Sequence, residues 1–188
     1  MKLIIGVTGA TGAPIAIRLL ETLKELKIET HLVLSKWAAV TISQETSYSV
    51  QDVKALADYS YSSEDQAAAI SSGSKRMDGM MIVPCSMKTL AAIRVGLADN
   101  LVARAADVML KERKPLLLMT RETPFNTIHL ENMTELSRMG VTIFPPMPAF
   151  YNQPQSIDDL IDHLVYRALD QFGIDHQWNK RWEGLKGE

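Results

Sequence analysis

The chain has 188 residues, of which 46% are hydrophobic and 22% charged, the composition of an ordinary globular protein. Its net charge of −2 at pH 7 gives no electrostatic reason to bind nucleic acid or an anionic membrane. The single cysteine, Cys85, excludes an intrachain disulfide and a multi-cysteine metal site, and no signal peptide or membrane span is expected. We expect one cytoplasmic domain over residues 1–188.

The chain begins with an apolar strand, Lys2 to Thr8, that runs into a turn of small residues, Gly9 to Ala13, and then into a helix. Small residues let the backbone approach a phosphate, and a helix N-terminus supplies free N–H groups and a positive dipole. The turn therefore predicts an anion site. Glycine recurs here every third residue, which is not the spacing of a dinucleotide or P-loop motif.

The end of the second predicted strand, residues 29–35, also argues against a dinucleotide. A dinucleotide site needs Asp or Glu there to bind the ribose diol, whereas this strand ends in Ser35 and Lys36. A hydroxyl and a cation suit a phosphate or a flavin edge better. The alternative is that the glycine turn merely connects a strand to a helix.

Helices and strands then alternate along the chain. The pattern predicts a helix at 36–44, an irregular region at 46–76 with a helical run near 65–70, a strand at 79–84, helices near 86–96 and 99–113, a strand at 115–120, a helix near 127–139, a strand at 141–144 and a last helix capped by Ser156. Apolar strands separated by helices predict an α/β fold with a single doubly wound parallel sheet, Rossmann-like or flavodoxin-like, and helices on both faces. We expect the last helix and tail, about 156–188, to contribute to subunit contacts.

Hydroxyl and cationic side chains recur just beyond the predicted strands, where ligands bind in such sheets. They belong to the stretches Thr8–Thr11, Ser35–Lys36, Pro84–Thr89, Thr120–Pro124 and Pro145–Tyr151. This is the chemistry that a phosphorylated, hydrogen-bonding cofactor needs. No cluster has the His, Cys and Asp spacing of a metal site.

Several separated blocks in the same order carry a family resemblance: Thr8–Ala13, Pro84–Ser86, Arg104–Val108, Lys111–Leu116, Arg121–Phe125, Ile128–Met133 and Phe150–Pro154. With these blocks the chain resembles the flavin prenyltransferase family of the UbiX type, which includes the B component of phenolic acid decarboxylase systems. The matching features extend from Gly6 to about Trp182, almost the whole chain. The family most often has serine where this chain has Thr11, and the hydroxyl is kept.

The resemblance implies a transferase that joins a dimethylallyl group from dimethylallyl phosphate to reduced FMN and needs no metal. The fourth ring forms across N5 and C6 of the flavin, and the product, prenylated FMN, is the cofactor of UbiD-type decarboxylases. Such a decarboxylase would receive it. The family commonly assembles as a dodecamer of trimers, so the resemblance also implies a homo-oligomer.

The resemblance also assigns roles to residues. FMN would be held by Gly9, Ala10, Thr11, Ser35, Ser86, Met87, Lys88, Thr89 and Arg121. Dimethylallyl phosphate would be bound by Tyr151, Arg167 and Lys111. The catalytic set would be Glu122 as acid and base, Glu45 as an orienting carboxylate, and the cations Lys111 and Arg104, two turns apart on one helix face. Whether Tyr151 and Arg167 act in the same subunit stays open.

Three other functions are open to a chain of this kind. An FMN-dependent oxidative decarboxylase of peptidyl-cysteine substrates uses a histidine base after the second helix, but residues 36–60 contain no histidine. A non-catalytic subunit that binds FMN and delivers it to a decarboxylase would not need the acid/base and the prenyl phosphate residues together. Direct decarboxylation of aromatic acids would need a residue set that stabilises a carbanion, and we find none.

Overall fold

The computed structural model describes residues 1–177 and residue 184. Within these residues the strands are β1 (Lys2–Val7), β2 (Glu29–Leu34), β3 (Tyr59–Ser62), β4 (Gly79–Cys85), β5 (Leu116–Thr120) and β6 (Thr142–Ile143). The helices are α1 (Ala13–Glu25), α2 (Lys36–Glu45), α3 (Val50–Ala55), α4 (Met87–Val95), α5 (Leu101–Lys111), α6 (Thr127–Arg138) and α7 (Ile157–Asp170). The strands form one parallel sheet in the order β3-β2-β1-β4-β5-β6, which confirms the predicted fold class.

The central strands are buried on both faces of the sheet, as their continuous apolar sequences predict. Leu3 and Ile5 of β1 face a core layer formed with α1 and α7, whereas Ile4 faces a second layer formed with α4, α5 and α6. Each fully buried side chain of this size contributes about 1.5–3 kcal/mol to stability. Two such layers explain why the sheet carries helices on both faces.

The strand order reverses between β1 and β4. The chain leaves β1 towards β2 and leaves β4 towards β5, so a crevice opens beyond their carboxyl ends. Thr8 joins the two ends, because its hydroxyl donates to the Pro84 carbonyl at 2.8 Å and accepts from the Ser86 N–H at 2.9 Å. The floor of the crevice is therefore held by side-chain and backbone bonds from both strands.

Strand β3 was not predicted, because it is a short edge strand paired with β2 and mostly exposed. Its tyrosines are held by a buried histidine of β2. The His31 ring stacks on Tyr59 at 4.6 Å between centroids, and Nδ1 lies 2.8 Å from the Tyr61 hydroxyl. On the other side of the ring, Nε2 lies 2.9 Å from a Glu29 carboxylate oxygen. These are long-range contacts that local sequence does not reveal.

The helical run predicted near 65–70 is wrong. Asp65 Oδ1 accepts the Ala67 N–H at 3.0 Å, and this local bond favours a turn over a helix. The stretch forms turns and one 3-10 turn at Ala69–Ser71. The helix of this region is α3 instead, which begins where the Ser49 hydroxyl accepts the Asp52 N–H at 3.1 Å.

Helix α7 begins as predicted at Ser156, whose hydroxyl accepts the Asp159 N–H at 3.1 Å. It packs on α1, where Arg18 Nε lies 3.1 Å from Asp162 Oδ1. Residues 178–183 and 185–188, part of the tail predicted to make subunit contacts, lie outside the described residues. No helix in the described part of the chain is long and apolar enough to cross a membrane.

Gly79 begins β4 at a point where a methyl group has no room. A Cβ there would lie 2.6 Å from a Phe172 ring carbon and 2.9 Å from the Pro115 carbonyl oxygen. We expect Gly79→Ala to lower the free energy of unfolding by about 1–3 kcal/mol, because overpacking forces the backbone to move. Urea denaturation followed by circular dichroism measures this loss.

Gly73→Ala is the matched control. A Cβ at Gly73 would meet only the ends of the flexible Glu112 and Lys111 side chains, which can move away. We expect a change within about 0.5 kcal/mol, as for an ordinary surface substitution. Equal losses of stability in the two variants would contradict the packing described for β4.

Candidate functional site

A cavity of about 250 Å³ opens at the reversal of strand order, beyond β1 and β4. Its lining residues are Thr8, Gly9, Ser35, Trp37, Ser86, Lys88, Thr89, Ala92, Asn100 and Val102. Five of them are residues predicted to hold FMN: Gly9, Ser35, Ser86, Lys88 and Thr89. The structure therefore brings together side chains from three strand ends that lie far apart in the sequence.

Three helices begin at this cavity, and the capping side chain of each one lines it. The capping bonds join Ser35 Oγ to the Ala38 N–H at 3.1 Å in α2, Ser86 Oγ to the Thr89 N–H at 3.4 Å in α4, and Asn100 Oδ1 to the Ala103 N–H at 3.1 Å in α5. Each helix places the positive end of its dipole beside the cavity, and Lys88 adds a full charge. The arrangement favours an anionic group such as a phosphate.

Gly9 and Trp37 form the apolar side of the cavity. A Cβ at Gly9 would collide with Trp37 Cβ, so only glycine allows this close approach between the first turn and α2. The Trp37 side chain is 68% exposed and so presents an open aromatic surface. A flat apolar surface beside phosphate donors fits a ligand that combines aromatic rings with a phosphate, as FMN does. Trp37 was not among the predicted site residues.

The N-terminus of α1 is already occupied by a carboxylate of the chain itself. Glu45 Oε2 accepts the N–H groups of Gly12 and Ala13, each at 2.9 Å. The prediction of free N–H groups after the glycine turn is therefore wrong for these two residues. A sequence pattern could not show this, because Glu45 lies at the end of α2, far along the chain.

Three other residues predicted to hold FMN lie beside the cavity without appearing in its lining. Ala10 and Thr11 belong to the first turn, where Thr11 is exposed. Met87 is the first residue of α4 and is partly buried. Their roles in FMN binding stay predictions.

Arg121 and Glu122 follow β5 at the same edge of the sheet. The Arg121 N–H donates to the Cys85 carbonyl at 3.1 Å, which joins the end of β5 to the end of β4 beside the cavity. Both side chains are exposed, and a Glu122 carboxylate oxygen accepts the Thr123 N–H at 3.0 Å. Cys85 is fully buried, and burial raises the pKa of its thiol, as expected for a structural cysteine.

Tyr151 contacts α7, the helix that carries Arg167. The Tyr151 hydroxyl lies 2.9 Å from Nε2 of His163, and Arg167 follows His163 by one helical turn. Arg167 Nη1 donates to Asp170 Oδ2 at 2.8 Å. Sequence reasoning missed His163, because a histidine within an apolar helical stripe reads as a core residue and nothing in its spacing points to Tyr151.

Arg104 and Lys111 lie in a different place. Arg104 Nε donates to the Ser71 carbonyl at 3.1 Å, and Lys111 Nζ lies beside Gly73, so the two cations do share one face of α5. Lys111 ends α5, whose N-terminus is at the cavity, so it lies about 16 Å from that end at 1.5 Å per residue. A single chain does not bring Lys111 to the cavity.

Among the residues that the structure describes, no group of three or more His, Cys, Asp or Glu side chains is arranged to hold a metal ion. The cavity side chains that the chain does offer are hydroxyls, an amide and a cation. These groups are suited to bind anions rather than divalent metals.

Comparison with known proteins identifies relatives over nearly the full length. A family model described as Flavoprotein matches residues 1–169. A probable UbiX-like flavin prenyltransferase from Bacillus subtilis (strain 168) is 62% identical over 186 residues, which cover 99% of this chain and 91% of that protein.

Two solved structures are similar to the whole fold. One is a dodecameric FMN-dependent UbiX-like decarboxylase from Escherichia coli O157:H7, with 62% identity and a TM-score of 0.96 over 98% of this chain and 100% of that chain. The other is AnUbiX (PadA1) in complex with FMN and dimethylallyl pyrophosphate, with 55% identity and a TM-score of 0.93 over 97% of this chain and 98% of that chain.

Proposed function

Since the chain belongs to the flavin prenyltransferases of the UbiX type, a group of transferases within the Flavoprotein family, we propose that it transfers a dimethylallyl group from dimethylallyl phosphate to reduced FMN. The product is prenylated FMN, which a UbiD-type decarboxylase would receive as its cofactor. The observation that carries this proposal is the cavity between β1 and β4, where three helix N-termini and Lys88 converge beside the open Trp37 ring. A similar protein, AnUbiX, was solved with FMN and dimethylallyl pyrophosphate.

The cavity would hold FMN through two kinds of contact. The hydroxyls of Ser35, Ser86 and Thr89, with the N–H groups of the helices that they begin, would bind the phosphate. Arg121 would add a permanent cation at the same edge, and Gly9 would let the backbone approach the flavin. Reduced FMN supplies the N5 and C6 atoms that accept the prenyl group.

Tyr151 and Arg167 would bind the phosphate of the prenyl donor. In the reaction the allylic C–O bond breaks, the phosphate leaves with the bonding electrons, and a C–N bond forms at flavin N5. The cations around the phosphate lower the barrier by stabilising the negative charge as it leaves, and the Tyr151 hydroxyl helps to bind the phosphate. Metal independence stays a prediction that follows from this set of donors.

Glu122 would move the proton that the transfer needs. Departure of the phosphate is easier when a proton reaches it. Closure of the ring then adds a proton to the inner alkene carbon of the prenyl group, forms the bond to flavin C6 and removes the proton from C6, so an acid and a base are both required. One exposed carboxyl group at this edge of the sheet can serve as acid and as base in turn. Glu45 would act as a positioning residue, because its two bonds to Gly12 and Ala13 hold the first turn in place.

Lys111 and Arg104 would reach the phosphate from a neighbouring subunit. Their face of α5 points to the segment 71–73 of the same chain and not to the cavity. The similar Escherichia coli protein is dodecameric, so copies that supply α5 to each other are a reasonable arrangement for this chain. We extend the proposal to a homo-oligomer of the same kind, with α7 and the tail at subunit contacts. A cytoplasmic location stays a prediction.

The decisive measurement is the mass of the flavin. Protein loaded with reduced FMN is incubated with dimethylallyl phosphate, with and without EDTA, and the released flavin is analysed by mass spectrometry. We expect the mass to rise by one C5H8 unit in both samples. An unchanged flavin mass would reject the prenyltransferase proposal and favour an FMN-delivery subunit, whereas loss of product with EDTA would reject metal independence alone.

Glu122→Gln tests the acid/base assignment. We expect it to lower the rate of prenylation by about 10²–10⁴-fold, because the amide cannot transfer the proton. FMN binding, measured by fluorescence quenching, should stay unchanged because the exposed Glu122 side chain is not part of the cavity lining. Glu131→Gln is the control, since this carboxylate is also exposed and lies on the following helix. Equal rates in Glu122→Gln and the parent protein would refute the assignment.

Mixing of two inactive variants tests the shared site. Lys111→Ala and Arg167→Ala are each expected to lose activity, since each removes a cation that would bind the phosphate. When the two are co-expressed, some sites will contain neither substitution if the residues come from different subunits, and activity returns. Mixed oligomers that remain as inactive as either parent variant would place both residues in a single subunit's site.

A further inference from the structure

We propose that His163 is a positioning residue that holds the Tyr151 hydroxyl in the orientation that donates a hydrogen bond to the prenyl phosphate. The inference rests on the proposed function in one respect, because that function gives Tyr151 a phosphate to bind. No sequence motif indicated His163, and it enters only through the contact seen in the structure.

The contact joins an exposed side chain to a buried one. Tyr151 is 50% exposed and lies in the loop between β6 and α7, whereas His163 is 7% exposed and belongs to α7. The hydroxyl lies 2.9 Å from Nε2, and the rings meet edge to face with centroids 5.7 Å apart at 82°. The imidazole is fixed by the same helix packing that buries its neighbours Leu164 and Val165. It can therefore anchor a loop tyrosine that remains accessible to a ligand.

The number of hydrogens available determines which residue donates in the hydrogen bond between Tyr151 and His163. A tyrosine hydroxyl has one hydrogen to donate, and a fully ionised phosphate ester only accepts. If Tyr151 donates this hydrogen to the phosphate, the 2.9 Å contact with His163 must run the other way, and the hydroxyl oxygen accepts from Nε2. The phosphate therefore selects the form of His163 that carries a hydrogen on Nε2. In that form the imidazole aims the hydroxyl hydrogen away from itself and towards the ligand.

The charges around His163 agree with a neutral imidazole that carries one hydrogen. Burial lowers its pKa from the ordinary value, and the nearby Arg167 guanidinium lowers it further, whereas Asp170 raises it. A neutral ring avoids placing a second positive charge next to Arg167. A neutral ring also has a hydrogen on only one of its two nitrogens. The nitrogen that carries this hydrogen therefore determines whether His163 donates to the Tyr151 hydroxyl or accepts from it.

The expected effect is on binding more than on chemistry. The phosphate is already charged in the ground state, so a hydrogen bond from Tyr151 stabilises bound substrate and transition state to a similar degree. Removal of such an interaction raises KM and leaves kcat nearly unchanged. A histidine that only filled space in α7 would instead alter stability and FMN binding without a selective effect on the prenyl donor.

The test compares four variants: Tyr151→Phe, His163→Phe, the double variant, and His163→Gln. We expect Tyr151→Phe and His163→Phe each to raise KM for dimethylallyl phosphate about ten-fold, the size typical of a hydrogen bond to a charged group. The double variant should be no worse than Tyr151→Phe, because both changes break one interaction. His163→Gln should stay within about three-fold of the parent protein, since a glutamine amide can donate from nearly the position of Nε2.

Equilibrium binding makes the test independent of turnover. Calorimetric titration of dimethylallyl phosphate into protein loaded with oxidised FMN gives a Kd for each variant, and melting temperatures and FMN affinity show whether each variant is folded. The same non-additive pattern in Kd supports the inference, even if the parent protein proves unable to prenylate FMN.

Two results would overturn the inference. The first is a His163→Phe variant that is folded and binds FMN but keeps the parent Kd for dimethylallyl phosphate. The second is a double variant whose loss equals the product of the two single losses, since the residues would then act separately. Failure of the parent protein to bind dimethylallyl phosphate at all would overturn both this inference and the proposed function, whereas binding without prenylation would overturn the proposed function only.

Discussion

The reversal of strand order between β1 and β4 is the constraint on which the site depends. Because the connections from these strands lead in opposite directions along the sheet, a crevice opens beyond their carboxyl ends. Thr8 bridges the two ends through Pro84 and Ser86, which fixes the floor of this space. Helices α2, α4 and α5 all begin at its rim, so a cavity with three helix N-termini follows from the topology and not from one motif.

The distribution of negative charge among the helix ends decides where a ligand phosphate can bind. Glu45 neutralises the N-terminus of α1 with two short bonds, so a phosphate there would have to displace a carboxylate of the chain itself. At α2 and α4 the capping groups are the neutral hydroxyls of Ser35 and Ser86. The glycine turn then has a steric role, because Gly9 allows the close approach to Trp37. The electrostatic attraction for the phosphate comes from the neighbouring helix N-termini.

The sequence predicts the parts of the structure that depend on local hydrophobic periodicity and on helix-capping residues. The continuous apolar run of β4 and the Ser156 cap of α7 are examples, and the parallel sheet follows from them. Three features could not be predicted in this way. Tyr61 of strand β3 contacts His31 of β2, and Glu45 accepts a hydrogen bond from the first turn. His163 contacts Tyr151 of the preceding loop. Each of these is a pairing between separate elements, which a pattern within one element cannot indicate. Resemblance supplied the candidate residues, but their division between two regions of the chain appears only in three dimensions.

That division has an electrostatic reason. In the proposed reaction without a metal, several cations would surround one phosphate, and such a cluster would repel itself when no phosphate is bound. In the free chain each of these cations is paired with a carboxylate: Arg104 with Asp107, Lys111 with Glu112 and Arg167 with Asp170. Pairs as exposed as Arg104–Asp107 and Lys111–Glu112 contribute only about 0–1 kcal/mol, so a phosphate can replace these two carboxylates at little cost. The cations of α5 and α7 would then lie close together only at a subunit interface with substrate bound. The unliganded chain would therefore not hold a cluster of uncompensated positive charges.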